Sequence, residues 1–208
     1  GGGAYTITGL VAGTYTARVD VSTLSAGMIA TYDLAGDLDN SATFMLSPSQ
    51  VRTDLDFGYT QPVSMGDRVW SDLNANGVQD VGEPGLDGVS VTLYNSVFNT
   101  IAGTTVTSGG GSYTFGNLLP GSYFVEFGTV VGYSRTLVDQ GVETGDSDAD
   151  LVTGRTGSVT LSSGQSNLTL DAGYFAPAAI GDFVYNDANA NGQQDGGEAG
   201  LDGVPVLG

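Results

Sequence analysis

Short runs of alternating apolar and polar residues occupy most of the chain. Residues 89–95 place Val89, Val91 and Leu93 on one side of an extended segment, and residues 122–127 alternate in the same way. This period of two is typical of a half-buried β-strand. The same reasoning predicts further strands at 66–71, 101–107, 112–115, 157–161 and 167–174. With turn residues between the runs, the pattern predicts an all-β antiparallel sandwich of about seven strands.

The strand pattern belongs to an internal repeat. Residues 65–89 match residues 180–204 without a gap, and Asp56–Tyr59 matches Asp171–Tyr174 in the same register. Such self-similarity indicates tandem modules. We predict the C-terminal part of a first module at 1–61, a complete module at 62–176 and the N-terminal part of a third module at 177–208.

Two further stretches stand out because they combine carboxylates, amides and one glycine at fixed spacing. Both fit the twelve-residue pattern D-x-[DN]-x-[DN]-G-x5-E of an EF-hand calcium loop. Positions 1, 3, 5, 9 and 12 supply side-chain oxygens, position 7 supplies a carbonyl, and the glycine at position 6 allows the sharp turn. The predicted Ca²⁺ ligands are Asp72, Asn74, Asn76, Val78 (carbonyl), Asp80 and Glu83, with the second set Asp187, Asn189, Asn191, Gln193 (carbonyl), Asp195 and Glu198.

The loops differ from an EF-hand in what surrounds them. Residues 66–70 alternate like a strand, and Pro84 directly after the first loop would stop a helix. We therefore predict EF-hand-like calcium loops that lack flanking helices. The alternative is a metal-free turn, because Asn, Asp and Gly also favour ordinary turns.

A second group of acidic residues has weaker support. Asp67 and Asp182 precede the two loops, where they could orient the site or simply end a strand. The remaining acidic residues lie in two short runs, which could hold a second cation or form solvated loops. These residues are Asp146, Asp148 and Asp150 in the complete module, and Asp37 and Asp39, near Asp33, in the first module.

Composition narrows the choice of function. Five basic residues oppose 23 acidic ones, giving a net charge of −18, and the chain has no His and no Cys. Such a charge repels nucleic acid and anionic membranes and attracts divalent cations. We expect no membrane span in this segment, since no apolar run approaches about 18 residues. Without His or Cys, no group of residues is typical of a catalytic site, and we expect no enzyme.

The motifs together resemble a known family. The run from Gly66 to Glu83, the segment Ser112–Tyr123 and the end motif Leu170–Tyr174 are similar to the SdrD B-like repeats, relatives of the collagen-adhesin B modules. The resemblance implies an Ig-like or prealbumin-like β-sandwich. It also implies a calcium-rigidified stalk or spacer in bacterial surface and secreted proteins.

We therefore expect a calcium-stabilised stalk, spacer or filament subunit of an extracellular or cell-surface protein. The alternative is an adhesin module that binds a matrix protein or glycan, for which Trp70 would be the stacking platform if it were exposed. The expected partners are neighbouring modules of the same kind. The partial modules at 1–61 and 177–208 are either cropped from a longer repeat protein or complementary halves that assemble head to tail by strand addition.

Overall fold

A computed structural model describes residues 2–207. The chain divides into two compact units, Gly1–Ala176 and Pro177–Gly208. The described residues contain β-strands, one short 3-10 helix at Val21–Thr23 and no α-helix. This confirms the all-β fold class. The first part of the larger unit holds β1 (Gly13–Arg18), β2 (Ile29–Tyr32), β3 (Ser41–Leu46) and β4 (Gly58–Thr60). Here β1 pairs with β3 and β2 pairs with β4, both antiparallel.

The rest of the larger unit is a two-sheet sandwich. Its strands are β5 (Val63–Ser71), β6 (Ser90–Asn95), β7 (Thr100–Val106), β8 (Ser112–Leu118), β9 (Gly121–Phe127), β10 (Ser134–Arg135), β11 (Val159–Leu161), β12 (Ser166–Asn167) and β13 (Ala172–Phe175). One sheet has the order β11-β9-β6-β7. The other has the order β10-β13-β5-β12, with β8 also paired to β5. Most pairs are antiparallel, but β12 and β13 both run parallel to β5.

The inward positions of both sheets form one core, as the alternation predicts. Val69 of β5, Leu93 of β6 and Val125 and Phe127 of β9 are all fully buried in this core. Trp70, the next residue of β5, lies outside this core cluster beside Gly173 but is also 0% exposed, so it cannot serve as a stacking platform for sugars.

The segment 167–174, predicted as one strand, is instead two short strands, β12 and β13. Between them the backbone N–H of Asp171 donates to the carboxylate of Asp148 at 2.6 Å instead of joining a strand ladder. The interruption places Asp171 beside the acidic loop.

The repeat has a structural counterpart in the two parts of the larger unit. The Tyr15 hydroxyl donates to the Val11 carbonyl at 2.8 Å, and the Tyr123 hydroxyl donates to the Leu119 carbonyl at 2.7 Å. The two tyrosines occupy matching places at the start of β1 and β9. The division into three modules remains a prediction, and these matching hydrogen bonds are in line with it.

Candidate metal centre

The loop 72–83 is closed at its base by an antiparallel bridge. The Ser71 N–H donates to the Pro84 carbonyl at 2.8 Å, and the Leu86 N–H donates to the Val69 carbonyl at 2.8 Å. The two chain segments that enter and leave the loop are thus held side by side. The loop therefore joins two extended segments, as predicted.

Asp72, at the first position, is the buried anchor of the loop. It is 1% exposed. Its Oδ2 accepts from the Gly77 N–H at 2.8 Å and from the Thr136 hydroxyl at 2.5 Å, and its Oδ1 accepts from the N–H groups of Asn74 and Asn76. Burial, the largest single influence, raises the pKa of Asp72, but the Thr136 hydroxyl and the loop amides together hold that pKa below its ordinary value. The carboxylate is therefore ionised at neutral pH.

The other side chains of the loop hydrogen-bond to one another and to the loop backbone, but among the described residues the carboxylates of Asp72, Asp80 and Glu83 do not all come within 4.8 Å of one another. The side-chain amides of Asn74 and Asn76 both donate to Oδ2 of Asp80, each at 2.9 Å. Glu83 spans the loop: its Oε1 accepts from the Leu73 N–H at 2.7 Å and its Oε2 from the Asp80 N–H at 2.9 Å. The two oxygens of Glu83 thus connect the beginning of the loop with its end.

A neighbouring acidic loop, residues 137–150, covers this centre. The Gln79 N–H donates to the Gly145 carbonyl at 2.8 Å, and the Ser147 N–H donates to the Gly77 carbonyl at 3.1 Å. Gly77 has φ +82°, and a Cβ on it would lie 2.5 Å from the Leu137 carbonyl oxygen. Only glycine fits this position, both in conformation and in space.

The second loop, residues 187–198, repeats the same internal hydrogen bonds. Asn189 and Asn191 donate to Oδ2 of Asp195, each at 2.7 Å, and the Gly192 N–H donates to Oδ2 of Asp187 at 2.8 Å. Glu198 again accepts two backbone N–H groups, at 3.0 and 3.1 Å. Asp187 is half-buried rather than fully buried.

A second carboxylate cluster lies beside the first loop, formed by Asp67, Asp148 and Asp171. Asp171 is 1% exposed, and its Oδ2 is buried with no hydrogen-bond partner among residues 2–207. Burial, reinforced by the charge of Asp67, raises the pKa of Asp171 to about 8. Burial likewise raises the pKa of Asp148 to about 7 and that of Asp67 above its ordinary value. Among the described residues these three carboxylates do not all bring an oxygen within 4.8 Å of the others, so their raised pKa values reflect burial and mutual repulsion.

The remaining predicted acidic residues are placed differently. Asp146 is buried near this cluster and accepts from the Gly141 N–H at 2.8 Å. Asp150 instead accepts from the N–H groups of Val152 and Thr153, so it stabilises a turn. Asp182 is exposed and accepts from the N–H of Phe183, its own neighbour in the chain. Ligand roles for these residues remain predictions, and the geometry supports Asp146 best.

In the first part of the chain, the structure brings Asp33, Asp37 and Asp39 together. One oxygen from each lies within 4.8 Å of the others. Asp33 is 3% exposed, and its Oδ2 is buried without a hydrogen-bond partner in the described part of the chain. This arrangement could hold a metal ion.

The donor set fits a hard divalent cation, because it consists of carboxylate and amide oxygens without nitrogen or sulfur ligands. Sequence reasoning missed Thr136 and Asp171 as members of these sites. Asp171 lies in the repeated motif Asp171–Tyr174, whose recurrence at Asp56–Tyr59 was a usable signal. Nothing in the sequence around Thr136 points to Asp72.

Comparison with known proteins places these loops in a family. The model of the SdrD B-like domain matches residues 63–174 and 178–207. The chain belongs to the SdrD B-like domain family. It is 36% identical over 98% of its length to the serine-aspartate repeat-containing protein F of Staphylococcus epidermidis and, likewise, to the serine-aspartate repeat-containing protein E of Staphylococcus aureus. The chain spans 12% of the first relative and 18% of the second.

Among solved structures, the SdrD B-like chain is similar to GBS52, the minor pilin of the Gram-positive pathogen Streptococcus agalactiae. The TM-score is 0.39 at 15% identity, covering 77% of this chain and 65% of the pilin. None of the helices in residues 2–207 has the length and apolar character needed to cross a bilayer.

Proposed function

We propose that this chain is a calcium-stabilised structural segment, serving as a stalk, spacer or filament subunit of a bacterial extracellular or cell-surface protein. The observation that carries the proposal is the loop 72–83, in which the buried carboxylates of Asp72 and Glu83 hold the two ends of the segment. The same bonds recur in the loop 187–198.

A cation bound at these loops would make the chain stiffer. The loop 72–83 follows β5 directly, and its base is bridged to Pro84 and Leu86. A divalent ion bound by the oxygens of Asp72, Asp80 and Glu83 would link the beginning of the loop to its end and so stabilise the closed loop. Three carboxylates per loop suit millimolar calcium, the range of extracellular modules, and this supports a location outside the cell.

The direct test is a thermal melt of the metal-free chain with and without calcium. Calcium at a hundredfold excess over its dissociation constant contributes about 2.7 kcal/mol per site. For a unit of this size we expect a rise in Tm of roughly 5–10 °C for one site. Magnesium at the same concentration should act less strongly, because it requires a tighter octahedral shell. An unchanged Tm, together with no heat of calcium binding by calorimetry, would refute the proposal.

Unfilled sheet edges support a finer proposal, that modules complete one another by strand addition. In the complete module, β9 pairs with both β11 and β6, and β13 pairs with both β10 and β5. Their counterparts β1 and β4 each have one neighbour among the described residues. Residues 180–207 repeat the sequence positions of β5 and the start of β6. A segment of that type, from the same longer protein or from another copy, would fill both edges.

Sedimentation of the purified chain over a range of concentrations separates these two sources. Concentration-dependent growth into long assemblies supports completion between copies. A monomer at every concentration rules out head-to-tail assembly and leaves completion within one longer protein.

A further inference from the structure

Only two residues, Gln61 and Pro62, link the first part of the chain, residues 2–61, to the first strand of the segment 62–176. The strand β4 ends at Thr60 and β5 begins at Val63. Two consecutive folded parts move relative to each other by default, unless contacts hold the joint between them. Pro62 removes some of that freedom, because its ring fixes φ. The angle at this joint therefore depends on what holds Gln61.

The turn between β11 and β12, residues 162–165, binds both backbone polar groups of Gln61. The Gln61 N–H donates to the Ser163 hydroxyl oxygen at 2.9 Å, and the Gln61 carbonyl accepts from the Gly164 N–H at 3.3 Å. The Ser163 oxygen also accepts from the Thr60 hydroxyl at 3.1 Å. A hydroxyl oxygen has two lone pairs, so one serine can serve both donors. Ser163 thus contacts the end of β4 and the linker together.

The same turn is fixed to the first strand of the segment 62–176. The Ser64 N–H donates to the Gln165 carbonyl at 3.1 Å, and the hydroxyl groups of Ser64 and Ser166 are hydrogen-bonded at 2.9 Å. These contacts continue the parallel pairing of β12 with β5. The turn is therefore part of the sandwich, and the linker bound to it is held against the sandwich.

The turn is closed by bonds of its own, and its form recurs in the first part of the chain. The Gln165 N–H donates to the Ser162 carbonyl at 2.9 Å, and the Ser162 N–H donates to the Gln165 side-chain oxygen at 2.6 Å. The corresponding bonds within residues 47–50 measure 3.1 and 2.8 Å. The place of Ser163 is taken there by Pro48. The turn thus closes without a serine at this position, which leaves the Ser163 oxygen to bind the linker.

We propose that the turn 162–165 is a docking site for the linker Gln61-Pro62 and fixes the angle between the first part and the segment 62–176. Both groups that it binds on Gln61 belong to the backbone, so any residue other than proline can occupy that position. Ala176-Pro177, the matching place in the repeat, has the same form. The inference deepens the proposed stalk function and rests on it, but the turn contains none of the proposed calcium ligands. Its effect on the joint should therefore persist without calcium.

The test compares the full chain with its variant Ser163→Ala by amide exchange and by a distance measurement. The variant loses the acceptor of the Gln61 N–H and keeps the turn, so this amide should exchange roughly three- to tenfold faster by NMR. Spin labels on Met45→Cys in β3 and Thr104→Cys in β7 report the joint, because both positions are exposed and the chain has no other cysteine. The distribution of distances between the labels should broaden in Ser163→Ala.

Two further variants control these measurements. Ser158→Ala, at an exposed position just before β11, should change neither the exchange rate nor the distribution. Gln61→Ala keeps both backbone groups and should leave the distribution unchanged. The inference is overturned if Ser163→Ala behaves like Ser158→Ala, or if it speeds exchange at Gln61 without broadening the distribution. Broadening by Gln61→Ala as large as that by Ser163→Ala overturns the backbone contact.

Repeating the distance measurement with calcium and with a chelator separates this inference from the proposed function. The difference between Ser163→Ala and the native chain should be present in both conditions. A difference confined to the calcium-loaded chain overturns the inference. If calorimetry detects no calcium binding while the difference persists, the proposed function fails and the role of the turn is supported.

Discussion

Replacing Thr136 by valine removes one hydroxyl from the centre of the loop 72–83 and leaves the shape of the side chain almost unchanged. That hydroxyl donates to Oδ2 of Asp72 at 2.5 Å, and both residues are 1% exposed. Water cannot readily replace the lost donor at so buried a position. The substitution therefore isolates the contribution of one charge-assisted hydrogen bond.

The expected magnitude follows from the remaining partners of Asp72. A hydrogen bond to a charged group contributes about 1.5–3 kcal/mol. The Gly77 N–H still donates to Oδ2 of Asp72 at 2.8 Å, so the carboxylate keeps a hydrogen-bond partner. The loss in free energy of unfolding should therefore stay within that range. For a unit of this size this corresponds to a fall in Tm of roughly 3–12 °C. Because Thr136 also orients the carboxylate, calcium affinity should fall by about 10–100-fold.

Differential scanning calorimetry measures the first effect and isothermal titration with calcium the second. Thr136→Ser retains the hydroxyl and should preserve most of the calcium affinity. Thr104→Val, at an exposed position of β7, is the control for exchanging threonine for valine in a strand. The reasoning is refuted if Thr136→Val loses no more stability and calcium affinity than Thr104→Val.

Three other outcomes follow from the structure. Glu83→Gln should weaken calcium binding, measured by calorimetry, at least about tenfold, because it removes the charge of the carboxylate that contacts both ends of the loop. An unchanged affinity would exclude Glu83 as a ligand. In metal-free protein, the free energy of unfolding should fall as pH rises from about 4 to about 8. In the folded protein Asp148 and Asp171 have pKa values of about 7 and about 8, so they keep protons that the unfolded chain releases near pH 4. Melts in which stability stays constant or rises across this pH range would contradict these raised pKa values. Gly85→Ala should lower the free energy of unfolding in urea by more than about 3 kcal/mol, since its Cβ would lie 1.8 Å from the Gly110 carbonyl oxygen. The control Gly116→Ala, whose Cβ would meet nothing within 4 Å, should change it by no more than about 1 kcal/mol. Similar losses for both variants would show that the close approach at Gly85 is not needed for stability.

The features that sequence could predict are those set by neighbouring residues. The alternation over 89–95 corresponds to β6 at Ser90–Asn95, because an apolar side at every second residue leaves few other ways to bury it. Within the loop 72–83, every side-chain contact between the predicted ligands spans only a few residues. The fixed spacing of the motif is enough to specify such contacts.

What sequence could not predict depends on distant partners. Thr136 reaches Asp72 across 64 positions of the chain, and no local pattern marks either residue as the partner of the other. The break between β12 and β13 has a similar origin, because the Asp171 N–H donates to the carboxylate of Asp148, which lies 23 positions away in the chain. The pattern of 167–174 carries no information on this competing acceptor, and residues 170–174 are all buried instead of alternating between two faces.

The parallel pairing of β5 with β13 determines how the complete module would respond to tension. These are its first and last strands, with Val69 opposite Ala172 and Ser71 opposite Tyr174. A force that draws Gln61 and Ala176 apart acts along both strands in opposite directions, so it loads their ladder in shear. The rungs of such a ladder must yield together, whereas a hairpin pulled from its open end peels apart one rung at a time. We therefore expect the segment 62–176 to resist mechanical stretching along the chain.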